Sequence, residues 1–232
     1  LAFKPNFPQE PGSLGFFSQS GNISAEFICR GALRGLRFSK VISYGNAADL
    51  NEADLLDYLS HDPETEVIAA YVEGVRDGRR FFELLREIGP RKPVILLKGG
   101  ITTAGRRAGA AHTASLAGSR STWEALCRQT SAISVDSVEE MDDVALALTW
   151  MKPPAGRRVG LVGSGGGGSV ASADEAEEGG LIVPGVPEAI RESFREKEPE
   201  TWSMIGNPLD PSAIGPRNRE VLKLLAQQNL ID

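Results

Sequence analysis

One of the chain's two histidines, His112, sits near the end of a small-residue, basic run: Lys98-Gly99-Gly100-Ile101-Thr102-Thr103-Ala104-Gly105-Arg106-Arg107-Ala108-Gly109-Ala110-Ala111-His112-Thr113. Histidine can serve as a nucleophile near neutral pH. One ring nitrogen attacks while a hydrogen bond to the other sets the tautomer. Long structureless loops inside compact domains are uncommon and usually functional. This one suits a group that reaches out to touch an anion. Arg106 and Arg107 could steer that anion or could be solvated surface charges, and the sequence supports both readings equally.

Two other segments offer the anion sites such a histidine would need. Gly15-Phe16-Phe17-Ser18-Gln19-Ser20-Gly21-Asn22-Ile23-Ser24 lies over Gly160-Leu161-Val162-Gly163-Ser164-Gly165-Gly166-Gly167-Gly168-Ser169, 145 residues further on, as Gly21 is from Gly166. The register recurs at Gly35-Leu36 and Gly180-Leu181. Each copy reads as a strand, a glycine/serine turn, a helix and a terminating glycine. The free N–H groups of a first helical turn point outward and the helix dipole adds about half a positive charge there. Ser18, Ser20, Gly21 and Asn22 are the candidate phosphate ligands of the first copy. Gly165, Gly166, Gly167 and Gly168, with hydroxyls from Ser164 and Ser169, are those of the second. The plainer reading is an ordinary strand-to-helix turn with an N-capping serine. Neither segment carries the Gly-Lys-Ser/Thr of a Walker loop or a complete dinucleotide fingerprint.

A histidine between two such stations could carry a phosphoryl group from one to the other. The acceptor that orients its second nitrogen is expected to be Glu73, in Tyr71-Val72-Glu73-Gly74-Val75 at the carboxyl end of a strand, where ligands gather in doubly wound sheets. A solvated strand-end carboxylate fits Glu73 equally well. His61, in Ser60-His61-Asp62-Pro63, reads as a side chain of a helix-end turn. Metal chemistry has no ligand spacing to support it, and no Gly-x-Ser-x-Gly elbow marks a hydrolase.

Composition narrows the classes further. The 232 residues carry 25 basic and 31 acidic side chains, a formal charge of −6, which argues against nucleic acid as a partner. No apolar run approaches the about 20 residues that span a membrane. Cys29 and Cys127 lie in apolar helical contexts and read as reduced core residues of a cytoplasmic protein.

Positioning these groups requires alternating strands and helices. Strands are expected at Leu14–Phe17, Lys40–Ser43, Val67–Tyr71, Val94–Leu97 and Ala132–Val135. Helices are expected at Ile23–Leu33, Glu52–Leu59, Arg79–Ile88, Thr122–Gln129 and Val138–Trp150. This alternation predicts right-handed βαβ units and a parallel sheet covered on both faces. Residues 1–12 read as a leading linker, 13–151 as a domain carrying the histidine loop, 152–157 as a linker, and 158–232 as a second, partial domain opening with a strand at Arg158–Val162. The fold expected is α/β, two flavodoxin-like doubly wound parallel-sheet domains, the second incomplete.

Together these pieces resemble the NDP-forming acyl-CoA synthetases, relatives of succinyl-CoA synthetase. The resemblance runs through Ser18-Gln19-Ser20-Gly21, Ser43-Tyr44-Gly45-Asn46 with Asp49, Asp54-Leu55-Leu56-Asp57-Tyr58-Leu59, Asp62-Pro63-Glu64-Thr65 and Tyr71-Val72-Glu73-Gly74. It continues through Lys98-Gly99-Gly100, Ala111-His112-Thr113, Leu116-Ala117-Gly118, Gly165-Gly166-Gly167-Gly168 and Gly206-Asn207-Pro208-Leu209-Asp210. It implies the reaction acid + CoA + ATP ⇌ acyl-CoA + ADP + phosphate, running through an acyl phosphate and a phosphohistidine. His112 would be the phosphorylated residue, Glu73 its orienting partner, and the two helix openings the phosphate sites.

The family's CoA-binding Rossmann domain and its ATP-grasp domain do not occur in this sequence. CoA, ATP or ADP and Mg would therefore be bound by other domains of the same or a partner chain, with phosphate and a small carboxylic acid or acyl phosphate meeting this one. Alone the chain is expected not to turn over, and the whole is expected to assemble as a homo-oligomer. Two rival readings are a regulatory, ligand-sensing module of an acetyltransferase fusion and a flavin-binding domain, since Ser18-Gln19-Ser20-Gly21-Asn22 also resembles a flavodoxin phosphate loop.

Overall fold

The computed structural model of the chain describes residues 7–105, 107, 119–163, 165–195, 205–210, 219, 222–223, 226–227 and 229–232. The chain divides into two compact units that meet between Lys152 and Pro153.

In the first unit, β1 (Pro11–Ser18), β2 (Phe38–Ser43), β3 (Val67–Val72), β4 (Val94–Lys98) and β5 (Ile133–Val135) form one sheet in the order β2-β1-β3-β4-β5. Every pairing is parallel. The helices α1 (Gly21–Leu33), α2 (Glu52–His61), α3 (Gly78–Ile88), α4 (Arg120–Thr130) and α5 (Val138–Trp150) cover it. Strand side chains alternate between faces, and here both faces are buried. Ile68, Ala70 and Val72 of β3 join Leu56, Leu59, Phe81, Leu85 and Trp123 in one core. Val67 and Ala69 join Phe27, Ile28, Met141 and Ala145 in the other. Fully burying a phenylalanine such as Phe16, Phe27 or Phe81 contributes roughly 1.5–3 kcal/mol.

The helix boundaries follow local chemistry. Ser20, Asn51, Asp77, Ser119 and Ser137 each cap a helix by accepting a main-chain N–H, and Asn51 with Asp54 completes a reciprocal capping box. Strand β1 starts at Pro11, inside the segment expected to be linker. Gly12 explains the extension: a Cβ there would fall 2.2 Å from Cβ of Arg37, so only glycine lets the chain pass beside β2, with a register irregularity before Leu14.

The second unit holds α6 (Gly166–Glu178) and α7 (Glu188–Ser193). The strand expected at Arg158–Val162 is instead two isolated parallel bridges, Arg158 to Ile182 and Val162 to Leu209. The reason is visible between them. The Asn207 carboxamide accepts from the Leu161 N–H at 2.8 Å and donates to the Val159 carbonyl at 2.8 Å, taking the place a neighbouring peptide would fill.

The 145-residue register is a property of the backbone as well. Helices α1 and α6 both have 13 residues and start and end at equivalent positions. Gly35 (φ +99°) and Gly180 (φ +81°) follow them in the left-handed region that favours glycine. Their closing bonds match too, Gly35 to Ala32 and Leu36 to Gly31 against Gly180 to Glu177 and Leu181 to Ala176.

Candidate functional site

In this strand order the direction in which strands are added to the sheet switches between β1 and β3, and the crevice beyond their carboxyl ends is where doubly wound sheets bind ligands. The turn after β1 and the turn after β3 meet there. Gln19 joins them, because its side-chain Oε1 accepts from the N–H groups of Glu73 and Gly74, the latter at 3.0 Å. Its main-chain N–H donates to the Tyr71 carbonyl at 3.1 Å.

The serines of the first turn divide their tasks. Ser18 is fully buried, and its hydroxyl donates to the Ser20 carbonyl at 2.8 Å and accepts from the Ser20 N–H at 3.0 Å. It therefore shapes the turn through its two bonds to Ser20. Ser20 caps α1, accepting from Ile23 N–H at 3.3 Å. The N–H groups of Gly21 and Asn22 have no hydrogen-bond acceptor among the described residues, and Asn22 is exposed. A Cβ on Gly21 would meet only Ser43 Oγ, at 3.8 Å.

Glu73 follows β3 directly. Its Oε1 accepts from the Tyr71 hydroxyl at 3.1 Å, while Oε2 is buried without a partner among the described residues. Tyr44 Oη and Glu52 Oε2 are buried and unpartnered as well. Burial, and then the nearby carboxylates of Glu52 and Glu73, push the Tyr44 phenol far up. Burial and the Glu73 carboxylate do the same to Tyr71, so both phenols stay protonated donors.

Lys98 ends β4 on the other side of Glu73. Its ammonium donates to the Glu73 carbonyl at 2.6 Å and to the Gly99 carbonyl. Burial lowers its pKa, opposed by the Glu73 charge. The lysine stem borders an apolar cleft of about 430 Å³ between α3 and α4, with Val75, Phe82, Trp123 and Leu126 on its walls.

The described start of the glycine-rich run that follows is not structureless. Residues 103–105 and 107 are helical, and the Gly105 N–H donates to Thr102 Oγ1 at 3.0 Å, a local cap that the composition did not suggest. Arg107 is exposed. His112 and Arg106 lie outside the described residues, as does Ser164. His61 ends α2 at the surface, with Nδ1 2.9 Å from the Asp57 carbonyl oxygen.

In the second unit, Gly165 (φ +92°) stands at the N-cap of α6 without a side-chain cap. Gly166, Gly167 and Gly168 are exposed, and neither Gly166 nor Gly167 has any atom within 4 Å of where a Cβ would be. Ser169 is turned inward beneath Gly163, its hydroxyl buried and unpartnered among the described residues. Both cysteines are free, Cys127 buried and Cys29 half-buried. Among the described residues no group of His, Cys, Asp and Glu is placed to hold a metal, and no helix is long and apolar enough to cross a membrane.

Sequence reading did not single out Gln19, Tyr71 or Lys98. Their contacts are to main-chain atoms or to a neighbour's carboxylate, which residue type does not reveal. The position of Gln19 between Ser18 and Ser20, at the switch-point turn, was the one available signal.

The chain is 39% identical over 223 residues to the alpha subunit of acetate–CoA ligase [ADP-forming] II from Pyrococcus furiosus, covering 95% of this chain and 48% of that protein. It is 37% identical over 225 residues to acetate–CoA ligase [ADP-forming] I from Archaeoglobus fulgidus, covering 96% of this chain and 32% of that one. Its fold matches dinucleotide-forming acetyl-coenzyme A synthetase 1 of Ca. Korarchaeum cryptofilum, solved in complex with phosphate and ADP, with a TM-score of 0.77 at 34% identity, covering 88% of this chain and 45% of that one. The chain thus spans about half the length of the first of these relatives, or less. Residues 11–148, which take in the five-stranded sheet and its helices up to the last turn of α5, match the model of the succinyl-CoA ligase-like flavodoxin domain, and the chain belongs to that family.

Proposed function

We propose that this chain is the phosphoryl-relay portion of an NDP-forming acyl-CoA synthetase, which joins a carboxylic acid to CoA at the expense of ATP. The observation that supports this most is Glu73. Its Oε2 is buried with no partner at the switch point, beside a helix opening whose Gly21 and Asn22 N–H groups are also unclaimed among the described residues. A desolvated carboxylate oxygen without a donor is costly, and an imidazole N–H from His112 would satisfy it.

On this reading, phosphate displaces CoA from acyl-CoA to give an acyl phosphate. A His112 ring nitrogen then attacks phosphorus, the acyl carboxylate leaves as the free acid, and the phosphoryl group rests on the imidazole. Transfer of that group to ADP gives ATP and restores the ring. Glu73 accepts the other ring N–H, fixing the tautomer and stabilising the charge that grows during attack. The α1 opening, with Ser20, Gly21 and Asn22, holds the phosphoryl oxygens at the acyl-phosphate stage, and Gly165–Gly168 provide a second station. CoA and ADP are supplied by domains beyond this chain, in the same or a partner polypeptide. The acid is small and is recognised largely outside this chain.

The test uses the complete enzyme. Acyl-CoA with radiolabelled phosphate should give an acid-labile, base-stable protein adduct, and His112→Ala should abolish it. An adduct that persists in that variant, or none in the parent enzyme, overturns the relay.

A further inference from the structure

We infer that Gln19 and Tyr71 are positioning residues which hold Glu73 so that one carboxylate oxygen, Oε2, is presented to the phosphorylated imidazole. The inference rests on the relay reading above and adds to it the means by which the orienting carboxylate is itself oriented.

A glutamate side chain has three rotatable bonds and, free at a strand end, samples many positions. A histidine in group transfer needs its partner held within about 0.5 Å. Glu73 is fixed at each point where a neighbour could grip it. Gln19 Oε1 takes its N–H and also that of Gly74 at 3.0 Å, so the turn after β3 is tied to the turn after β1. Lys98 takes its carbonyl at 2.6 Å. Tyr71 donates to Oε1 at 3.1 Å. Gly99 leaves room for the stem, since a Cβ there would lie 3.1 Å from Cγ of Glu73. One atom remains unclaimed, Oε2.

The direction of these bonds matters as much as their number. Two main-chain donors meet at Gln19 Oε1, which fixes the orientation of the amide and turns its NH2 away from Glu73. Tyr71 can serve Oε1 only as a donor because Glu73 offers it an acceptor there. The two oxygens of one carboxylate are thereby made unequal: Oε1 is committed within the fold and Oε2 is available. Gln19 also belongs to the turn that opens α1, so the phosphate-facing turn and the carboxylate move as one piece.

The test is a double-mutant cycle in the complete enzyme. Rapid-quench measurement of phosphoprotein formation from acyl-CoA and labelled phosphate would compare Tyr71→Phe and Gln19→Met, each alone and combined with Glu73→Gln. Acting through Glu73, each single variant should slow adduct formation by about tenfold with an unchanged KM for phosphate, and should cost nothing further once Glu73 is Gln. Independent, multiplying losses, or single variants with the parent rate, would overturn the positioning role while His112 still becomes labelled. Absence of any adduct in the parent would instead remove the relay itself. Tyr71→Phe deletes one hydroxyl from a packed ring, so it decides the matter even if Gln19→Met fails to fold.

Discussion

Gly99 and Tyr71 approach so closely that a Cβ on Gly99 would sit 2.5 Å from the phenolic oxygen and 3.0 Å from Cζ. No real side chain tolerates that separation, so the tyrosine and the first glycine of the histidine-bearing run fit only as a pair. Gly99→Ala should displace Tyr71 from Glu73 and cost roughly 1–3 kcal/mol, as overpacking does in well-packed interiors. Thermal melting together with phosphoprotein formation would check this. An alanine variant with the parent's melting temperature and rate would show that the contact is not there.

Replacing Glu73 by glutamine retains the shape and an acceptor for Tyr71, but turns an amide donor toward the imidazole where a carboxylate oxygen had been. The expected result is a roughly 10- to 100-fold slower single-turnover phosphorylation, with melting little changed. Parent-like kinetics in Glu73→Gln would refute the orienting role.

Asp142 on α5 is fully buried against α1, with Oδ2 3.1 Å from Arg30 Nε and Oδ1 without a partner among the described residues. Burial pushes its carboxyl up more than the facing Arg30 and Arg34 pull it down, and Asp143 adds to the rise. Arg30 also pairs with Glu139 at 2.7 Å. A folded-state value above the unfolded one gives stability that is complete below the ordinary carboxylate range and is lost as pH rises through the raised value. Asp142→Asn should therefore melt a few degrees above the parent at pH 7, with the gap closing as pH falls toward about 4, the ordinary carboxyl value. Melting curves across that range decide it, and a variant less stable than the parent at pH 7 would show that the Arg30 pair outweighs burial.

Asn207 carries three main-chain contacts in the second unit, to the Leu161 N–H and the Val159 and Pro184 carbonyls, at 2.8, 2.8 and 3.0 Å. Asn207→Ala would leave those groups without their partner, at about 1–3 kcal/mol for each that stays buried. Hydrogen exchange should speed up at Leu161 while the strands of the first unit keep their protection. Unchanged exchange at Leu161 would mean that the carboxamide is not what holds the two bridges.

The sheet was legible because its strands are short apolar runs separated by amphipathic stretches, and because serine, asparagine and aspartate stand at the helix starts. Boundaries were less so: Pro11 and Gly12 look like linker until Arg37 is seen beside them. In the second unit Arg158–Val162 has the composition of a strand, but a distant asparagine side chain takes the place of a paired strand. Glu73 could be read from its place at a strand end. The burial of Ser18 was not legible, because hydroxyl chemistry suggests a surface ligand, whereas an interior strand of a doubly covered sheet buries side chains on both sides. Gln19, Tyr71 and Lys98 stand in the motifs that carry the resemblance, but their roles were not legible because what they grip is backbone or a neighbour's carboxylate, and only folding brings those atoms within reach.

Helices α1 and α6 are copies in register that begin differently. Ser20 stops the first with its own hydroxyl, whereas Gly165 brings no side chain to the second. Ser20 takes up only the Ile23 N–H, and the Gly21 and Asn22 N–H groups stay open among the described residues. A helix opening with no side-chain cap leaves its first-turn N–H groups to water or to a bound oxyanion, which would add to its stability. Added sulfate should therefore stabilise the second unit more than the first, because the first turn of α1 already has one of its N–H groups taken up by Ser20 and that of α6 has none taken up by a side chain.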